Sequence, residues 1–480
     1  MDRFRVFSNM IWRFLERVGA QAVAFIVSII LARLLSPEDY GVLALAVLLP
    51  ALLRSVSDCG IGSALIQKED VGSLDYSSAF FFHLAVSVIL YAALFLAAPA
   101  VSVFYGRDDL CPLIRILSLT LLTSAVHAVP EAYVIRNLKL KLFFYSTLVS
   151  TALSAAVGIS LAYKGFGVRA LVAQQLTVSV CDSLILFLAS GWRPEMRLSF
   201  GRLKNLLRFG WKIMAASLAG TLYDNIRQFL FGRYYTAEGL GLFNRGKQLP
   251  DIVVINVNAP LQTALYPVLS ASQHDTGRVR SMLQRSIETA AYVTAPLMIG
   301  LAIIAPGLVR VLLTDRWSPC VPYIRIFCLV YFFFPVEECN NNAVKALGRS
   351  GLFLKAELVK KGIGILLLIL TVRIGSWALC LSLIPYTIAV QLINGSLNGR
   401  LVDYGFTKQL HSELSGILPA LIMGACILPV GFAGLSDLLT ILLQVLLGAA
   451  IFIAVSAVTR SSSFLYLKEI LLSIIEKKHH

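Results

Sequence analysis

The sequence predicts an all-α, polytopic membrane protein of about fourteen transmembrane helices, built as two six-helix repeats of the same orientation, two extra helices and a C-terminal amphipathic helix. Three observations predict it. First, 57% of the 480 residues are hydrophobic and only 14% are charged, with a mean hydropathy of +0.77. A soluble chain of this size needs far more charge to cover its surface. Second, apolar runs of roughly 20 residues recur throughout, the length that crosses a bilayer core as helix. A transmembrane barrel would show short alternating segments instead. Third, one stretch occurs twice at a constant offset, 233 − 33 = 200. Arg33, Glu38, Gly41, Pro50, Ala64 and Leu65 recur as Arg233, Glu238, Gly241, Pro250, Ala264 and Leu265, while Asp58 falls on Asn258. The Leu and Ala pairs are cheap in an apolar chain, so the Arg, Glu, Gly and Pro pairs carry the duplication.

The spans follow in order. The first covers about 10–35 and stops before Ser36 and Pro37; an Ala20-Gln21-Ala22 triplet at the start of this run, not after it, reads as an uncleaved span. The second starts near Gly41, and the next four cover about 78–103, 112–134, 143–163 and 168–190. The least apolar connection then follows, with Arg193, Arg197, Arg202, Lys204 and Arg208. The plan repeats over about 210–232, 250–270, 287–313, 321–344, 352–372 and 376–394, and two more spans cover about 414–430 and 435–458. The organisation is a first lobe at 1–191, a basic linker at 192–208, a second lobe at 209–400, and spans 13 and 14 with the tail at 401–480. In that tail Phe464, Leu465, Leu467, Ile470, Leu471, Ile474 and Ile475 share an apolar face, as in a helix lying on a membrane surface.

The net charge of +15 would suggest nucleic acid in a soluble protein. Here Lys and Arg gather on one side of the spans: Arg136, Lys139 and Lys141, the linker, Arg278 to Arg285, Lys345 to Lys355, Arg400 and Lys408. The positive-inside rule makes that side, and both termini, cytoplasmic, with no nucleic acid partner. An even number of spans per lobe gives both copies one orientation, which is the parallel-repeat plan of alternating-access transporters. The eight cysteines are scattered with no CxxC pair, so no metal site is indicated. Cys111 and Cys320 lie in expected external loops, and a bond between them is the one pairing left open. No phosphate-binding loop, HExxH helix or GxSxG elbow occurs, so the chain reads as no enzyme, without cofactor beyond a coupling Na+ or H+.

What remains are polar residues inside apolar spans, costly unless they face a cavity or a partner. Candidate substrate contacts are Arg13, Arg17 and Gln21; Arg54 and Asp58; Asp224, Arg227 and Gln228; Asn256 and Asn258; and Glu337 and Asn341. Asp182, Asp224 and Glu288 are the ion-coupling candidates. The structural alternative is that Arg54–Asp58 and Asp224–Arg227 neutralise each other as helix glue, and that Arg13, Arg17, Lys360 and Lys361 snorkel to the interface. Arg in a cleft suits phosphate oxygens, and amide and carboxylate groups suit sugar hydroxyls.

The run Leu31 to Gly41, with Asp58-Cys59-Gly60 and Ala64 to Gln67, resembles the start of Wzx-type polysaccharide-export flippases, members of the multidrug/oligosaccharidyl-lipid/polysaccharide (MOP) exporter superfamily. Phe243-Asn244-Arg245, Gln248-Leu249-Pro250 and Leu265-Tyr266-Pro267 resemble the start of their second half. The resemblance extends in plan over about the first 400 residues; the last two spans match only in hydropathy. It implies two six-helix bundles in a V-shaped transporter. The implied substrate is an undecaprenyl-diphosphate-linked oligosaccharide, flipped across a bacterial inner membrane for lipopolysaccharide, capsule or exopolysaccharide assembly. The implied partners are membrane lipids and glycan polymerase or assembly proteins, with the transporter itself a monomer. The runner-up is an Na+- or H+-coupled exporter of small cationic compounds from the same superfamily. A third reading, a membrane glycosyltransferase or polymerase, lacks the extramembrane loop that such chemistry uses.

Overall fold

The computed structural model describes residues 19, 21–68, 70–459, 463–466 and 468–469, and among them every regular element is helical. They divide into two compact units, Met1–Gly241 and Leu242–His480. The first unit holds α1 (Gln21–Leu34), then α2 (Pro37–Ser57), α3 (Ile61–Gln67), α4 (Ser73–Tyr105), α5 (Leu110–Leu117), α6 (Leu119–Arg136), α7 (Lys141–Tyr163), α8 (Val168–Ala189) and α9 (Phe200–Tyr234). Next comes α10 (Ala237–Ala271), whose first residues belong to the first unit. The second unit continues with α11 (Thr276–Leu312), a 3-10 turn at Asp315–Cys320, α12 (Val321–Phe332), α13 (Phe334–Ala346), α14 (Ser350–Thr371), α15 (Ser376–Leu381), α16 (Leu383–Val402), α17 (Phe406–Ile427) and α18 (Asp437–Val458).

Each expected span from the second onward falls in one of these helices or in a helix broken once, and the first lies partly outside the described residues. Among the described residues ten helices are long and apolar enough to cross a membrane. Helices α9, α10 and α14 have the length but are not among the ten, α14 because Lys355, Glu357, Lys360 and Lys361 fall within its run, and the described part of α1 is short. The expected linker also changes character. Residues 191–199 are non-helical, but Phe200 to Arg208 already form the first turns of α9, and the whole segment lies inside the first unit. The expected tail lies largely outside the described residues; in its described part Tyr466 stacks under the Arg285 guanidinium at 4.7 Å.

The duplication is written into the backbone. Helix α1 ends at Leu34 and α9 at Tyr234; α2 starts at Pro37 and α10 at Ala237. The intervening caps match as well. The Ser36 hydroxyl accepts from the Asp39 amide at 3.2 Å, and the Thr236 hydroxyl accepts from the Gly239 amide at 3.1 Å, each satisfying a first-turn donor. The two copies then touch. A Cβ on Gly41 would overlap the carbonyl of Ala237, and a Cβ on Gly241 would overlap the carbonyl of Pro37. Only glycine lets these two helix starts cross backbone to backbone, which accounts for its presence at both positions.

Packing elsewhere in the first unit follows the same logic. Without a hydrophobic driving force in lipid, helices associate through small residues that allow close approach. Ser146, Ser150, Ser154 and Gly158 recur every four residues on α7 and are buried, and a Cβ on Gly158 would sit 2.9 Å from the Gln174 Cβ of α8. At one end of the unit Trp192 packs on Phe80 and Tyr76, ring centroids 5.7 and 6.2 Å apart. In the second unit Val279, Leu283 and Ile287 of α11 pack on Val336 and Ala343 of α13 and on Tyr404. A two-point contact ties α18 to α11, Arg310 donating to the Asp437 carboxylate at 2.5 and 2.8 Å. Cys111 and Cys320 are both free thiols, so the bond left open by the sequence is not formed; Cys320 is buried in its own unit beside Gly246.

Candidate functional site

Helices α2, α5, α6 and α8 enclose a cavity of about 240 Å³ within the first unit. Its polar lining comes from Arg54, Thr120, Ser124, His127, Gln175, Ser179, Asp182 and Ser183, and Pro50 contributes to one wall. Local sequence explains each position. Arg54 lies four residues beyond Pro50, one turn on in α2, so both meet the same space. His127 and Glu131 sit at i,i+4 on α6, and Gln175, Ser179 and Asp182 recur at helical spacing on α8.

His127 is held from both sides. Its Nε2 lies 3.2 Å from Asp182 and its Nδ1 lies 3.4 Å from Glu131. Both contacts are hydrogen bonds only when both ring nitrogens donate. Ser146 of α7 also donates to Asp182. Both carboxylates are therefore occupied. Among the described residues the Arg54 guanidinium makes no contact ion pair, though it stands within electrostatic reach of Asp182. Arg54 and Asp58 make no contact ion pair, although the two charges stay within electrostatic reach at the end of α2. Beside it Ser57 is pinned between His83, at 3.0 Å, and Ser87, at 2.5 Å, which fixes α2 against α4. The cavity thus brings together the Arg54 guanidinium, an imidazole shared by two carboxylates, and neutral hydroxyl and amide groups.

The other candidates separate into groups. Arg13 and Arg17 lie outside the described residues, and Gln21 is half-buried at the start of α1. Gln228 donates to the Ala44 carbonyl at 2.6 Å, joining α9 to α2. Asp224 is exposed and Arg227 half-buried on α9. Asn256 bonds the Ile252 carbonyl of its own helix at 2.8 Å, whereas the Asn258 side-chain carbonyl is buried without a partner among the described residues. Glu288 is held by Gln284 at 2.9 Å on an exposed face. Glu337 and Asn341 converge on a residue expected to snorkel. Lys360 is only 1% exposed, with its ammonium 3.2 Å from Glu337, 3.2 Å from Asn341 and 2.7 Å from Glu357. Snorkelling fails because three oxygens on α13 and α14 satisfy the ammonium inside the bundle. Lys361 of α14 is half-buried.

His127 and Glu131 were absent from the sequence candidates. The signal was there: a His and a Glu four residues apart inside an apolar span. The second unit also carries an apolar groove of about 440 Å³ between α10, α11, α17 and α18, lined by Pro296, Gly300, Met423, Gly448 and Phe452 among others.

Against this geometry the likenesses to known proteins can be weighed. A family model described as "Polysaccharide biosynthesis protein" matches residues 30–322. The chain belongs to this polysaccharide biosynthesis family. It is 26% identical over 324 residues to the succinoglycan biosynthesis transport protein ExoT of Rhizobium meliloti, covering 67% of this chain and 65% of that one. It is 23% identical over 299 residues to the teichuronic acid biosynthesis protein TuaB of Bacillus subtilis, covering 62% of each. It is 20% identical over 365 residues to the lipopolysaccharide biosynthesis protein WzxC of Escherichia coli, covering 75% of this chain and 73% of that one. The matched region thus spans just under two thirds of ExoT and TuaB. In fold, it superposes on an inward closed conformation of the lipid II flippase MurJ with a TM-score of 0.76 at 15% identity, covering 94% of this chain and 98% of that one. An inward-facing MATE-family transporter of the MOP superfamily gives 0.58 at 14% identity, covering 85% and 95%. The fold is therefore of the MurJ and MATE kind, and the chain is a multi-pass membrane protein.

Proposed function

We propose that this protein is a flippase that moves undecaprenyl-diphosphate-linked oligosaccharide units across the bacterial inner membrane by alternating access, for lipopolysaccharide, capsule or exopolysaccharide assembly. The observation that carries the reading is Arg54, an unpaired guanidinium facing a polar cavity inside a membrane lobe. A guanidinium in such a place is expensive unless an anion visits it, and it presents paired donors to phosphate oxygens. About 240 Å³ is smaller than a drug-sized pocket and suits a charged head fragment, not a whole oligosaccharide. Gln175, Ser124, Ser179 and Thr120 supply neutral groups for sugar hydroxyls. The apolar groove of the second unit supplies a surface for a polyprenyl chain.

On this reading both termini are cytoplasmic, the protein acts as a monomer beside glycan polymerase or assembly proteins, and no cofactor takes part. Transport is driven by the membrane potential or by Na+ or H+ at Asp182, Asp224 or Glu288. The runner-up remains export of small cationic compounds. It is disfavoured by the site itself, because His127 lies against both Asp182 and Glu131 while Arg54 adds a guanidinium to the same cavity, an arrangement that repels a small cation more than a bare carboxylate pair would. The test is a strain lacking the protein. Lipid-linked repeat units should accumulate on the cytoplasmic leaflet of isolated inner membranes. A normal leaflet distribution with hypersensitivity to cationic dyes would transfer the case to drug export.

A further inference from the structure

Lys360 sits where a transport protein could hold a soluble cation. We infer that its ammonium is a tethered cation filling an oxygen cage in the second unit, and that without the ammonium this cage is a binding site for a monovalent cation. The cage is built from two helices. Glu337 and Asn341 lie one turn apart on α13, and Glu357 lies three residues before Lys360 on α14, so three oxygens face one point. The Lys360 side chain is 1% exposed, and Lys360 and Arg245 are the Lys and Arg residues among the buried described ones. Two carboxylates and an amide oxygen converge where the ammonium sits, so the vacated point would favour a cation. Carboxylate and amide oxygens are the donors that hard cations take. The contacts, 2.7 to 3.2 Å, fit an ammonium or a cation near its size, such as K+.

A neutral side chain here would leave two carboxylates facing each other in a low-dielectric interior, the costly arrangement that a buried partner normally prevents. In the natural protein the Lys360 side chain prevents it permanently. The second unit then takes no Na+ or K+ at this site. The inference concerns ion binding and stands whether or not the substrate is a lipid-linked oligosaccharide.

The experiment compares thermal unfolding of the detergent-solubilised full chain, as wild type and as Lys360→Ala, in choline chloride and in KCl, NaCl or methylammonium chloride at one ionic strength. Lys360→Ala should unfold below wild type in choline, and its Tm should rise saturably with K+ or methylammonium. The rise should reach about 2–4 °C at several times the cation Kd. Wild type should not respond. A variant as flat as wild type across the salts would overturn the inference, and so would an equal rise in wild type, which would place the cation elsewhere. Should Lys360→Ala fail to accumulate, Lys360→Ala/Glu357→Gln removes one charge of each sign and should still respond, more weakly. A flat response there would equally overturn it.

Discussion

Replacing Gly41 by alanine drives a methyl group into the backbone of the other repeat. A Cβ at Gly41 lies 3.1 Å from the Ala237 Cα and overlaps that residue's carbonyl; one at Gly241 lies 2.9 Å from the Pro37 carbonyl carbon and 3.1 Å from the Gly41 nitrogen. The obstacles are main-chain atoms in the first turns of α2 and α10, so no rotamer change relieves the clash and the helices must part. Overpacking of this kind costs about 1–3 kcal/mol. For a unit of this size each kcal/mol lowers Tm by about 2–4 °C, so Gly41→Ala should unfold about 2–12 °C below wild type. Gly241→Ala should behave alike, and the double variant should lose less than the sum, since one separation admits both methyls. The control is Gly220 in α9, where an added Cβ meets nothing within 4 Å. Gly220→Ala should gain up to about 1 kcal/mol from helix propensity. The assay is thermal unfolding of the full chain in detergent. Gly41→Ala unfolding at or above the wild-type temperature would refute the crossing and its explanation of the duplicated glycines.

In the second unit the Asn340 amide exchanges hydrogen bonds with Gln409 at 3.0 and 2.9 Å and accepts from Asn398 at 2.9 Å. Asn340→Leu leaves the Gln409 Oε1 without its donor and takes one acceptor from Gln409 and from Asn398, and should cost about 1–3 kcal/mol, read as a fall in Tm. Leu138 is an exposed residue with φ of 53° between α6 and α7. Leu138→Gly should relieve up to about 1–2 kcal/mol of left-handed strain and leave Tm unchanged or higher. His127→Ala frees Asp182 and Glu131 inside the cavity and should weaken export of an anionic head group while the protein stays in the membrane at wild-type amount. Undiminished export by His127→Ala would detach the cavity from transport.

Hydropathy located the helices because a run that fills a bilayer must be apolar along its length. It did not locate the breaks at Ser118, Phe333 and Ser382, where one apolar run becomes two helices without any change of polarity. Those breaks are backbone events and leave no mark on hydropathy. The duplication was legible through Gly41 and Gly241, although sequence alone could not say that the two glycines meet each other's helices. Arg54 and Asp182 were legible as polar residues in apolar spans. Their partition was not: Asp182 is bound by His127, a residue from another helix, and helical periodicity carries no information about neighbours in space. Lys360 was misjudged for the same reason. Near a span end it reads as a snorkelling residue, and only the packing of α13 on α14 shows the oxygens that hold it.

The most direct test of the proposed function is flipping by purified protein in proteoliposomes, using a fluorescent polyprenyl-diphosphate glycan and an impermeant quencher to score leaflet exchange. Wild type should exchange the lipid, and Arg54→Ala, reconstituted in equal amount, should lose most of that rate. Equal rates for wild type and Arg54→Ala would contradict the account, because the free guanidinium in the first-lobe cavity would then have no part in carrying the head group.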